Sequence, residues 1–161
     1  MRSMGLLMLL GLSTQAMAGK LGLGVMLGEP TGLNGKVWLD KIHAVDFGLA
    51  YSLSEDEDLH LHADYLFHNN TALAGSGMPG RLALYYGIGA RLSMRDDNNH
   101  NNGNDPDHDK DHFGVRIPLG IAWTLPSAPL DFFLELAPVV DLMPDTGADL
   151  EGGLGLRFWF K

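Results

Sequence analysis

Beyond Gly19, apolar side chains recur at every second residue through most of the chain, the period of a β-strand whose two faces meet different surroundings. Eight segments carry the pattern. In the first, Leu21, Leu23, Val25 and Leu27 alternate with Lys20, Gly22, Gly24 and Met26; in the second, Leu33, Val37 and Leu39 alternate with Asn34, Lys36 and Trp38. The third sets Val45, Phe47, Leu49, Tyr51 and Leu53 against Asp46, Gly48, Ala50 and Ser52. The fourth sets Leu59, Leu61, Ala63, Tyr65 and Phe67 against His60, His62, Asp64, Leu66 and His68. Leu82 to Leu92 opposes Arg81 to Ser93 in the fifth, and Phe113 to Trp123 opposes Gly114 to Thr124 in the sixth. Leu130, Phe132, Leu134 and Leu136 oppose Asp131, Phe133 and Glu135 in the seventh, and Leu150 to Phe160 opposes Glu151 to Trp159 in the eighth. Each segment is near the ~9–11 residues that a tilted strand needs to cross a hydrocarbon layer, and Pro, Gly, Asn and Asp gather between them as turns require.

The chemistry of the two faces decides which one points inward. A soluble sandwich or barrel turns its apolar face in and covers the other with Lys, Glu and Thr. Here the polar face is rich in glycine and alanine and carries charges of both signs. Lys36, Arg81, Arg91, Arg116 and Arg157 stand against Asp46, Asp64, Asp131, Glu135 and Glu151, with His60, His62 and His68 among them. Small residues mixed with opposite charges suit the crowded lumen of a narrow barrel, and a charge-free apolar face suits lipid. The pattern predicts an all-β fold, an eight-stranded antiparallel up-and-down transmembrane β-barrel, with those twelve charged and histidine positions other than His68 forming a lumen network. Pro118 and Pro138 fall inside predicted strands, where a missing ladder donor calls for bulges; Pro138 is placed near the membrane boundary at the end of the seventh strand.

With both termini on the periplasmic side, the connections after strands 1, 3, 5 and 7 lie outside. The longest, 95–112, then faces out together with the acidic turn 54–58 and the segment Met143 to Asp149. Asp40-Lys41 and Pro126 to Pro129 are short inner turns. The connection Asn69 to Gly80 is long for that side, which predicts an extra strand pair or irregular strand ends there.

Composition adds an export signal and removes several function classes. Arg2, the apolar run Met4 to Leu12 and the small-x-small triplet Ala16-Met17-Ala18 predict a cleavable signal peptide over 1–18 and a barrel domain over 19–161. The apolar run is about half the ~20 residues of a spanning helix. There is no cysteine to acylate or to form disulfides. A formal charge of −9, more negative once Arg2 is removed, argues against a nucleic-acid partner. Mean hydropathy is near zero because only alternate residues are apolar. No cofactor is expected.

The C-terminal run Gly152 to Phe160, with Leu154, Leu156, Phe158 and Phe160 alternating, resembles the assembly signal of outer-membrane barrels, although Lys161 follows the terminal aromatic. Signal, strand count and C-terminal run together make the mature chain similar to the small OmpA/OmpX-type barrels. The resemblance implies a bacterial outer-membrane location, contact with membrane lipid and lipopolysaccharide, and engagement by the barrel-assembly machinery.

Four features are candidates for chemistry. His60 and His62 share a strand face with Asp64, a spacing that offers metal ligands or, more commonly, a hydrogen-bonded lumen network. In the loop 95–112, Asp105, Asp107, His108, Asp109, Asp111 and His112 could hold a divalent cation weakly; the glycine and terminal glutamate of an EF-hand are missing. Ser52, Ser54, Ser76, Ser93 and Ser127 lack any adjacent histidine in sequence, so a lipid A-modifying enzyme needs a meeting in space. The many glycines of the polar face leave room for a narrow pore. The reading favoured by the sequence is a non-enzymatic barrel with a structural or surface-interaction role, a charged plugged lumen and acidic outer loops, ahead of a lipid A-modifying enzyme or a narrow channel.

Overall fold

A computed structural model describes residues 21–51, 58–95 and 111–160. The signal segment 1–18, most of the acidic turn 54–58, Lys161, and Asp105, Asp107, His108 and Asp109 of the long loop lie outside the described residues. The alternating segments form β1 (Leu21–Glu29), β2 (Thr31–Trp38), β3 (His43–Tyr51), β4 (Asp58–Asn69), β5 (Arg81–Arg95), β6 (His112–Arg116), β7 (Leu119–Thr124), β8 (Leu130–Met143) and β9 (Gly147–Phe160). All pairings are antiparallel, and β9 pairs with both β8 and β1, so the sheet closes on itself. Closure leaves no edge strand with unpaired backbone groups.

The register fixes the shape of the ring. Partners traced from Phe158 of β9 run through Leu23, Gly35, Phe47, Ala63, Ala90, Val115 and Val140, and return to β9 at Ala148. One circuit thus slides the chain by ten residues along β9. Such a stagger is what tilts strands by about 35–45° to the axis in a narrow barrel.

The sixth predicted strand is two strands. β6 and β7 both pair with β5 on one side and β8 on the other, so they share one position in the ring. The break falls at Ile117-Pro118 because proline has no N–H to donate. Two bonds bridge it: Gly87 N–H donates to the Pro118 carbonyl and Ile117 N–H to the Pro138 carbonyl, both at 2.9 Å. Pro138 is not at a strand end; β8 continues beyond it to Met143 with unbroken pairing to β9. Pro138 is directed outward, between buried Ala137 and Val139. The register irregularity in this region lies between Phe113 and Gly114, away from both prolines.

Two connections also differ from expectation. β8 and β9 extend so far that Met143 to Asp149 is mostly strand, leaving only Pro144, Asp145 and Thr146 between them. The segment between β4 and β5 contains no extra strand pair; it is a run of turns. The Asn69 side-chain carbonyl accepts from Thr71 and Ala72 N–H at 3.1 and 2.9 Å, and Trp123 Nε1 donates to the Pro79 carbonyl at 2.8 Å. Gly80 closes the segment at φ +91°, a left-handed conformation that L side chains rarely adopt.

Inward and outward faces differ as sharply as the alternation implies. Leu33, Ile88, Leu134 and Leu154 point out and are well exposed, whereas Lys36, Asp46, Arg116 and Arg157 point in and are at most 2% exposed. Glycines on the inner face stand where a neighbouring strand sends in a bulky side chain. A Cβ on Gly48 would meet the His62 ring, one on Gly120 the Tyr85 ring, and one on Gly155 the Phe133 ring. The room left by these glycines is taken by those three rings.

The turn between β2 and β3 carries a short-range charge device outside the barrel wall. Asp40 Oδ1 accepts from the N–H groups of Ile42 and His43, both at 2.8 Å, and Oδ2 lies 2.6 Å from His43 Nδ1. The Ile42 N–H, the His43 ring and the His43 N–H together hold the Asp40 carboxyl down to about 2. Because the folded value is below the unfolded one (about 3.9), its contribution to stability is present above pH 4 and lost as pH falls toward 2. An NMR titration of the Asp40 carboxyl in detergent should give a midpoint near 2, and His43→Ala should move it upward; a midpoint near 4 in both would mean the turn does not form this cap.

Candidate functional site

The inward positions bring charged residues from seven strands into one column. Near the end holding the chain termini, Arg157 of β9 is fully buried. Its Nη1 is 3.3 Å from Asp46 Oδ2, its Nε is 3.7 Å from Asp131 Oδ1, and its guanidinium lies 4.0 Å from the Phe133 ring centroid. Asp131 is its direct cross-strand partner on β8. Asn34 Nδ2 donates to the other Asp46 oxygen at 2.6 Å.

Arg116 of β6 forms the next centre. Its Nη2 is 2.6 Å from Glu135 Oε1, its Nη1 3.2 Å from Asp64 Oδ2 and its Nε 3.4 Å from Glu151 Oε2. Tyr85 Oη donates to the second Glu135 oxygen at 2.8 Å. Arg91 of β5 forms a third centre near the opposite mouth. Its Nη2 donates to both oxygens of Asp141 at 2.8 and 2.9 Å, and its Nη1 to Asp149 at 2.8 Å and Glu151 at 2.9 Å. Charge-assisted bonds of this kind are the strong ones, and burial makes each partner costly to remove.

Lys36 lies beside the Arg157 centre without a direct ion pair to its acids. Its Nζ lies 2.6 Å from His68 Nε2 and 4.9 Å from the centroids of both Trp38 and Tyr85. His68 in turn packs at 4.3 Å on Trp38. Arg81 does not enter the buried network. It is exposed at the mouth, 5.2 Å over the same Trp38 ring.

Of the other expected site residues, His62 Nε2 lies 3.7 Å from Asp46 Oδ1 and His60 Nδ1 lies 3.7 Å from Glu151 Oε1. Asp46, His62 and Asp64 offer ligand atoms within 4.8 Å of one another. Asp111 is exposed just before β6, and His112 opens that strand opposite Ser93. Leu154 and Phe158 of the C-terminal run face out and are exposed, and Phe158 packs edge-on against Phe160 at 5.1 Å. Asn34, Tyr85, Asp141 and Asp149 are further network members; the first two sit on predicted inner faces, whereas nothing in the alternation marks the last two. Sequence spacing does not tell whether a serine meets a histidine. The register answers: Ser93 is the direct cross-strand partner of His60, and both are buried.

Removal of one guanidinium would strand carboxylates that have already lost their water. Arg157→Met should therefore destabilise the barrel by about 3–5 kcal/mol, read as a lowered midpoint of denaturant unfolding in detergent. Arg81→Met, at an exposed position, should stay within about 0.5 kcal/mol of wild type. Equal effects at the two positions would mean that the buried pairs are not what holds this end.

A search of curated proteins finds no match. Among solved structures, the N-terminal β-barrel domain of OprF from Pseudomonas aeruginosa superposes with a TM-score of 0.63 at 13% identity, covering 89% of this chain and 99% of that one. At that identity the likeness speaks to the fold, and it identifies the closed sheet as a β-barrel of the same general build. A family model matches residues 12–158, nearly the whole chain. The chain belongs to the family described as "Protein of unknown function (DUF3996)".

Proposed function

We propose that the chain is an eight-position outer-membrane β-barrel, exported by its signal peptide, whose role is structural or one of surface interaction, with a lumen filled by charged side chains. The observation that carries this reading is the inversion of its two faces. Leu23, Leu49, Leu61, Leu119 and Leu136 are exposed while Arg116, Arg157, Asp46 and Asp64 are buried. Water would reject such an outer wall, and lipid requires it. Aromatic residues gather outside at the end that holds the termini. Phe67 stacks on Tyr86 at 5.6 Å and Trp123 on Phe132 at 5.8 Å, with Phe158 and Phe160 beside them. An aromatic girdle of this kind marks a membrane interface. At the other end, exposed Glu29, Asp111 and Asp145 extend the acidic character that the sequence gives the outer loops. Filling of the glycine gaps by His62, Tyr85 and Phe133 favours a plugged lumen over a narrow channel.

Replacing Leu84 or Leu119 by Arg should cost about 2–4 kcal/mol near the mid-bilayer, measured by unfolding from lipid vesicles. No effect at both positions, or a chain that stays monomeric and soluble without detergent, would overturn the membrane assignment.

A second reading, an enzyme acting on acyl esters of outer-membrane lipid, is favoured by one arrangement. Ser93 stands directly across from His60, whose Nδ1 faces Glu151 at 3.7 Å, the order of a nucleophile, base and orienting acid. Lipid A mass spectra from deletion and overexpression strains separate the readings. An acyl chain gained or lost in a manner that requires Ser93 selects the enzyme; unchanged spectra select the structural barrel.

A further inference from the structure

The lumen is short of positive charge at one place. Among the described residues, five buried carboxylates (Asp46, Asp64, Asp131, Glu135, Glu151) face four buried bases, Lys36, Arg91, Arg116 and Arg157. Two of those bases are diverted. Arg91 is divided between Glu151 and the rim acids Asp141 and Asp149, and Lys36 is turned to His68 and two aromatic rings. Arg116 and Arg157 are left to serve most of the rest.

The shortage is sharpest at Asp46 and Asp64. They are direct cross-strand partners on β3 and β4, an arrangement that sets like charges opposite each other. Each is about 98% buried, yet neither oxygen of Asp64 accepts a hydrogen bond, and neither does Asp46 Oδ2. Each receives instead one guanidinium contact from the side, Asp46 from Arg157 at 3.3 Å and Asp64 from Arg116 at 3.2 Å. The facing Nη1 atoms of Arg116 and Arg157 are likewise without a hydrogen bond, so these contacts are ionic only and leave lone pairs of both carboxylates unused.

His62 supplies the third group. It precedes Asp64 by two residues on the same face of β4, and its ring lies over Gly48, where any Cβ would displace it. One ring nitrogen and two carboxylate oxygens thus come together within 4.8 Å of one another at a site sealed from bulk water. We propose that Asp46, His62 and Asp64 bind one divalent first-row transition ion, with Zn²⁺ as the best-fitting case. An imidazole with two carboxylates suits such an ion, whereas Ca²⁺ needs six to eight oxygens and Mg²⁺ retains several waters. Arg157 and Arg116 then act from behind, each fixing the orientation of one ligating carboxylate. The ion lies between the two opposed aspartates and adds positive charge to a pair that otherwise has one guanidinium contact each. The site uses the barrel geometry alone and stands whether the chain proves structural or enzymatic.

The test uses the full mature chain in detergent, stripped with chelator and titrated calorimetrically with Zn²⁺. His100→Ala/His108→Ala/His112→Ala should be present throughout, to remove the three histidines of the long outer loop. The expected result is one equivalent bound, weakened at least tenfold by His62→Ala and by Asp64→Asn and unchanged by His60→Ala. Absence of saturable binding, or one-equivalent binding that survives His62→Ala, overturns the proposal. So does an NMR spectrum showing His62 doubly protonated in the presence of excess Zn²⁺, since a proton would then be the missing charge. Should either variant fail to fold, Co²⁺ or Mn²⁺ in the parent protein decides: magnetic coupling to a single imidazole nitrogen supports the site, and its absence rejects it.

Discussion

Closure of the antiparallel ladder is the constraint from which the rest of the molecule follows. Because β9 pairs with both β8 and β1, every strand has two partners and the sheet has one inside and one outside. A ring of eight positions with a ten-residue stagger is narrow, so the side chains of its inner face crowd against one another. Residues at odd and even positions therefore enter two unlike media, and the period of two in the sequence becomes a physical partition. Even the proline break between β6 and β7 obeys closure. The flanking N–H groups of Gly87 and Ile117 find the carbonyls of Pro118 and Pro138, so the ring stays shut where one donor is missing.

Filling a narrow lumen with charged residues is stable only when they satisfy one another. Arg157 near one end of the column and Arg116 midway along it do this, each reaching acids on two or more strands. Such clusters add less stability than their contacts suggest, because desolvation consumes most of the attraction. Their stronger effect is to penalise any arrangement in which a partner is absent. The aromatic and glycine pairs work the same way through shape, since Phe133 and Tyr85 fit only where Gly155 and Gly120 leave space.

Much of this was legible in the sequence because it depends on local alternation. The faces of Leu33, Asp46, His62 or Leu134 follow from counting by twos, and each lies where the count puts it. What was hidden depends on register between strands. Nothing in the spacing of residues 46, 62 and 64, or of 60 and 93, tells that they meet; the sums that align β3 with β4 and β4 with β5 do. Strand ends were also illegible where turn residues are tolerated within long strands, as Gly147 is in β9 and Pro138 in β8. Arg81 lies on the inward face that the alternation assigns, yet it is exposed, because face does not specify depth along the axis.

Alternation alone leaves register ambiguous. A slip of one residue between neighbouring strands turns apolar groups into the lumen and is rejected at once. A slip of two keeps every face correct and costs little in the outer wall, where one leucine serves as well as another. It is the inner face that rejects it. Sliding β8 by two against β9 would part Asp131 from Arg157 and drive Phe133 away from Gly155 toward Arg157 or Gly153. Sliding β3 against β4 would take His62 off Gly48 and separate Asp46 from Asp64. The buried charges and their glycine neighbours thus select one register from a series that the outer face cannot distinguish. The cluster at Asp46, His62 and Asp64 is part of that selection, so the residues that would hold an ion are also residues that fix how the barrel closes.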